Sequence, residues 1–249
     1  MAVSGVSELR RLAAQAGLTM QLSVVVDISQ LAGSLTLLRG ADLAMVEIRL
    51  PSTDVSLADL RWAREQVAGL AGDHPIGMFF ESAHMLQRPD EAARLADRLF
   101  ALRSVDTVCV GGKLRTGGVT SDLFPSSELV ACFITAMHER GIPWKATAGL
   151  HHPVRGVYNG QPMHGFLNVL GAACGVFCGA LGYEQIVELL DDADSSAFGL
   201  TEDAFTWRSH RFAPAIINAM RRETFRSFGS CSFDEPVEGL LELRMLGLE

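Results

Sequence analysis

Short runs of β-branched and aromatic residues alternate with longer amphipathic segments along most of this chain, and that alternation is what most restricts its fold. Strands are expected at residues 22–26, 44–49, 76–80, 107–110 and 143–147, with a last one at 225–229. Between them, 57–70 and 91–102 repeat apolar residues at three-to-four spacing, and Ser126-Ser127-Glu128 opens a helix running to Glu139. Strands separated by helices are joined by crossovers and lie parallel. The reading is an α/β protein, TIM-barrel-like, with an incomplete or irregular barrel.

After Thr147 the rhythm changes. A Gly-rich loop reaches Pro162, a long helix starts at Met163, and 184–190 is again helical. Phe198-Gly199-Leu200 and Phe205-Thr206-Trp207 flank an acidic turn and read as a small β-hairpin insertion. Pro214 starts a helix to Arg222, and Asp234-Glu235-Pro236 caps a closing one.

With 249 residues, 48% of them hydrophobic, the chain can bury one large core, so 1–249 is expected to be a single domain. A formal charge of -8 with dispersed arginines argues against a nucleic-acid partner. Residues 1–17 lack the layout of a signal peptide and read as a short helix. The most apolar stretch, 165–181, carries four glycines and falls short of the roughly 20 residues of a membrane span, so it reads as a buried helix. Five cysteines without paired CxxC spacing fit reduced thiols, and Cys174 and Cys178, one turn apart, read as core. A cytoplasmic protein that acts on a small molecule, with homo-oligomerisation left open, is the expectation.

The chain has nineteen arginines and only two lysines, Lys113 and Lys145, both at Gly-flanked strand ends. In GGKLRTGG, at 111–118, Lys113 and Arg115 share a face if extended, and Gly117 and Gly118 let backbone N–H groups approach a carboxylate or phosphate. The alternative is that Lys113 and Arg115 pair with acidic residues across the sheet. Alternation places Lys145 and Thr147 together on the face opposite Trp144. Burial beside other cations would favour the neutral amine that attacks a carbonyl.

Several residues gather near these strand ends in sequence. His151 and His152 follow Lys145, with Arg155 on the same loop and His164 at the next helix. Successive residues of an extended segment point opposite ways, so one of the two adjacent histidines is expected to reach substrate and shuttle protons. Glu81 closes a strand as a base or metal ligand, with Glu47 a second carboxylate candidate. Ser230 and Cys231 follow the last strand, in either an anion-approach turn or tight packing.

Lys145-Ala-Thr-Ala-Gly149 resembles the Lys-Thr-Ser-Thr-Gly strand of deoxyribose-phosphate aldolases, whose lysine forms a Schiff base. That resemblance implies an iminium-forming role for Lys145 alone. GGKLRTGG, KATAGLHHPVR (145–155), MHGFLNVL (163–170) and FGSCSFDEPVEGL (228–240) also resemble stretches of uncharacterised bacterial proteins, which imply no reaction.

The leading expectation is a class I aldolase-like carbon–carbon lyase or condensing enzyme, without cofactor, acting on a small anionic carbonyl compound. Lys145, Lys113, His151, His152 and Glu81 are its catalytic candidates. Arg115, Thr147, Gly117, Gly118, Arg155, His164, Ser230 and Cys231 are its substrate-binding candidates. One alternative is a divalent metal held by Glu81, His151 and His164, in a lyase or hydrolase using the same pocket. Another is a non-catalytic small-molecule-binding barrel.

Overall fold

The computed structural model describes residues 11–12, 15–16, 21–51, 54–72, 74–85, 88, 90–103, 105–230, 232 and 234–245. The short helix expected at 1–17 lies largely outside them, as does Cys231. By its internal contacts the chain divides into two compact units, Met1–His84 with Arg94–Lys113, and Met85–Ala93 with Leu114–Glu249.

The first unit is built from β1 (Leu22–Asp27), α1 (Leu31–Leu38), β2 (Leu43–Leu50), α2 (Leu57–Ala68), β3 (Ile76–Ser82) and most of α3 (Glu91–Leu102), and it ends within β4 (Val108–Arg115). Strands β1 to β4 pair in order and in parallel. Apolar residues are buried on both faces of β2 and β3, which is why these strands read as near-continuous hydrophobic runs. A capping box opens α2: Ser56 Oγ accepts the Asp59 N–H at 3.1 Å, and the Ser56 N–H donates to Asp59 Oδ2 at 3.2 Å. Trp62, on this helix, is 39% exposed.

The second unit begins with the end of β4 and continues through α4 (Ser127–Glu139), β5 (Trp144–Thr147), β6 (Gly156–Tyr158), β7 (Gln161–Met163), α5 (Phe166–Phe177) and α6 (Tyr183–Asp191). Then come β8 (Phe198–Leu200), β9 (Phe205–Trp207), β10 (His210–Phe212), α7 (Pro214–Glu223), β11 (Phe225–Gly229) and α8 (Asp234–Glu242). Strand order in the sheet is β1-β2-β3-β4-β5-β11, with β11 parallel to β5. Six parallel strands are present among the described residues, so the fold is α/β without the eight strands of a complete barrel.

Trp144 of β5 anchors this core, stacked on Phe225 at 4.2 Å and edge-on to Phe133 at 5.7 Å. Ser126 caps α4 by accepting the Leu129 N–H at 3.3 Å. The expected 198–207 hairpin forms and gains a third antiparallel strand, β10. Trp207 is buried there, its indole N–H donating to Asp192 Oδ2 at 2.9 Å.

Three expectations are corrected. The stretch before Pro162 is no plain loop: β6 and β7 form a hairpin around Asn159-Gly160, both with positive φ, as a type I′ turn requires. The helix expected from Met163 starts at Phe166, because Met163 ends β7. Cys174 is core, where burial pushes its thiol up to about 12, but Cys178 caps the end of α5 and is exposed. No helix among the described residues is long and apolar enough to cross a membrane.

Candidate functional site

Among the described residues two polar centres stand out, one in each unit. In the first, Glu47 midway along β2 meets Glu81 and Lys113, which lie near the carboxyl ends of the adjacent parallel strands β3 and β4. Lys113 Nζ lies 2.7 Å from Glu47 Oε2 and 2.7 Å from Glu81 Oε2. All three are buried, with Lys113 only 3% exposed. Register explains the meeting: Phe79 pairs with Glu47 and with Gly111, so residues two apart on these strands share one face. The ammonium is therefore engaged by two acceptor-only carboxylates rather than offered to a substrate anion, the pairing weighed above as the alternative.

In the second unit a cavity of about 410 Å³ opens at the carboxyl ends of β5 and β11. Thr147, Ala148 and Gly149 form one side, Gly229 and Ser230 another, and Gly118, Phe124, His151 and Met163 complete the lining. The turn after β5 is unusual backbone: Ala148 and Gly149 are both left-handed, at φ 59° and 78°. A Cβ on Gly149 would lie 2.6 Å from the Thr116 carbonyl oxygen, and one on Gly117 would lie 2.8 Å from Gly149 Cα. Two chain segments thus touch backbone to backbone, which only glycine permits. Thr116 secures the turn, its N–H donating to the Thr147 carbonyl at 2.9 Å and its hydroxyl to that of Ala148.

Lys145 lies two residues before Thr147 on β5, on the same face, and is 8% exposed. Its register partner on β11 is Ser227, as Gly229 is that of Thr147.

The loop bearing the histidines is held by the start of α5, where the Phe166 and Leu167 N–H groups donate to the carbonyls of His152 and Pro153 at 3.0 and 2.8 Å. Gly165 makes that approach feasible, since a Cβ there would sit 2.4 Å from the Pro153 oxygen. His151 faces the cavity, with Nδ1 at 2.8 Å from Glu235 Oε2 and 3.0 Å from Ser230 Oγ. His152 turns away and stacks on Tyr158 at 3.5 Å. Burial, then the neighbouring His151, holds its imidazole below the usual range.

Arg155 and His164 do not line the cavity. The Arg155 backbone N–H donates to Asn168 Oδ1 at 2.8 Å, and its guanidinium bonds Asp191 at 3.2 Å and His164 Nδ1 at 3.1 Å. His164 is 1% exposed, and its Nε2 donates to the Pro125 carbonyl at 2.9 Å. Burial pushes its pKa down to about 4. With both nitrogens engaged, His164 is a structural residue rather than a substrate or metal ligand. Arg115 donates to the Gly117 carbonyl at 3.4 Å and is half-buried. Among the described residues no group of three or more His, Cys, Asp or Glu side chains is placed to hold a metal.

Sequence reasoning missed Phe124, Met163 and Thr116, which carry no signal in sequence. It noted Glu235 only as a helix cap, although the acidic pair before Pro236 did mark the turn. Comparison with protein-family models, curated proteins and solved structures returns no match to this chain.

Proposed function

We propose that the second unit carries the site of a Schiff-base enzyme, a class I aldolase-like carbon–carbon lyase or condensing enzyme for a small anionic carbonyl compound. The observation that supports this most is the placement of Lys145, a buried lysine on the face of β5 whose next outward residue, Thr147, lines the cavity. Parallel α/β sheets gather catalytic groups at this end of their strands.

In this reading the Lys145 amine adds to the substrate carbonyl carbon and water leaves, giving an iminium. The bond between the carbon beside the iminium and the next carbon breaks as a base takes the hydroxyl proton from that next carbon, which leaves as a second carbonyl compound. The electron pair forms an enamine, and a proton then returns to the carbon beside the iminium before water releases the product. Condensation runs the same steps backwards. Arg115, beside Gly117 and Gly118, is assigned to the acidic group of the substrate, and His151 to the proton transfers.

The test is intact-mass analysis after borohydride reduction with pyruvate, glyoxylate and glyceraldehyde 3-phosphate, followed by peptide mapping. An adduct on Lys145, lost in Lys145→Arg, is expected. If none of these compounds modifies Lys145 in folded protein, the reading is overturned.

A further inference from the structure

Ser230, His151 and Glu235 form a hydrogen-bonded chain at the cavity, centred on His151 Nδ1. Glu235 Oε2 is 2.8 Å from His151 Nδ1. A carboxylate only accepts, so the hydrogen between them belongs to Nδ1. Ser230 Oγ, 3.0 Å from the same nitrogen, therefore meets an N–H rather than a lone pair. It also receives the Ser232 N–H at 3.3 Å. With both lone pairs of this oxygen engaged, the hydroxyl keeps its own proton to donate, and Ser230 lines the cavity. A neutral imidazole with hydrogen on Nδ1 carries its lone pair on Nε2.

Secondary structure holds the chain in place. Ser230 directly follows β11, and Glu235 lies in the first turn of α8, where its N–H donates to Ser232 Oγ at 3.2 Å. The His151 loop is fixed by the amides that start α5.

We propose that Glu235 is a positioning residue that holds His151 with its proton on Nδ1, making Nε2 the base of the reaction and the Ser230 hydroxyl a donor to a substrate oxygen. This rests on the Schiff-base reading of the cavity. The step balances as follows: the C–H bond beside the iminium breaks, its pair becomes the enamine double bond, the C=N π pair returns to nitrogen, and the proton passes to Nε2. Reversal delivers a proton, or a solvent deuteron, to the same carbon. The preferred substrate carries a carbonyl, hydroxyl or carboxylate oxygen within reach of Ser230.

Two measurements on the full chain test this. The first is the ¹⁵N spectrum of His151 at alkaline pH, where imidazole is neutral, assigned with His151→Gln. Hydrogen on Nδ1 is expected in the wild type and in Glu235→Gln, whose amide oxygen still accepts, with a shift toward hydrogen on Nε2 in Glu235→Ala. The second follows exchange of the pyruvate methyl protons for deuterium. Glu235→Ala should exchange roughly 10- to 100-fold more slowly, with KM changed less than about twofold and the borohydride adduct on Lys145 retained. A wild-type ring protonated on Nε2, or a Glu235→Ala protein matching wild type in tautomer or exchange rate, overturns the proposal. A missing wild-type adduct instead overturns the Schiff-base reading, and the spectrum still decides the tautomer.

Discussion

Lys113 and Glu81, on neighbouring parallel strands, bring an ammonium and a carboxylate to 2.7 Å in the interior of the first unit, and Glu47 approaches the same nitrogen equally closely. Replacing Lys113 removes the ammonium that both buried carboxylates share. Lys113→Met is expected to lower unfolding free energy by about 3–5 kcal/mol, read by urea denaturation with circular dichroism. A loss below about 1 kcal/mol, the size of an exposed pair, would show that the ions contribute little.

For Lys145 the expectation differs in kind. Lys145→Arg keeps a cation but cannot form an iminium, so the protein should fold and lose the borohydride adduct together with all turnover. Near-normal turnover in the folded variant would rule out a nucleophilic amine here.

The left-handed turn after β5 separates two costs of a side chain on glycine. Gly141 has φ 61° with nothing within 4 Å of the place a methyl would take, whereas Gly149 has φ 78° and its methyl would meet the Thr116 carbonyl at 2.6 Å. Gly141→Ala should cost about 1 kcal/mol of stability and Gly149→Ala roughly 3 kcal/mol, with cavity binding also impaired. Equal thermal shifts would contradict this.

His164 links stability to acid. Its folded value, about 4, lies below the ordinary 6.5, so the unfolded chain binds the proton more readily. Its contribution is complete above pH 6.5 and is lost as pH falls toward about 4, amounting to on the order of 3 kcal/mol. Urea midpoints of the wild type should fall more steeply across that window than those of His164→Gln, and parallel profiles would show that another group is responsible.

What was legible in the sequence divides along physical lines. The six sheet strands and the helices at 91–102 and 127–139 were readable because burial imposes a period on the chain, and Ser126 and Pro214 carry local terminus chemistry. The β6–β7 hairpin was signalled by Asn159-Gly160, but its three-residue strands, one containing Pro162, are too short to show alternation. The candidate site was legible where it follows a strand end, as at Thr147, Gly118, His151 and Ser230. The Lys113 triad and the Glu235–His151 contact needed register and long-range pairing, which residue order alone leaves open. Arg155 and His164 misled for the same reason, since adjacency to a catalytic loop does not show which way a side chain turns.

The placement of the three tryptophans makes the intrinsic emission of this protein selective. Trp144 and Trp207 are 1% exposed in the second unit, whereas Trp62 in the first already meets solvent. Unfolding the second unit moves two indoles from apolar surroundings into water and should shift the fluorescence to the red, while unfolding the first changes the setting of its one indole far less. A fluorescence melt therefore follows the half that holds the cavity and is nearly silent about the half that holds the Lys113 triad, so comparing it with a dichroism melt separates the two without a label.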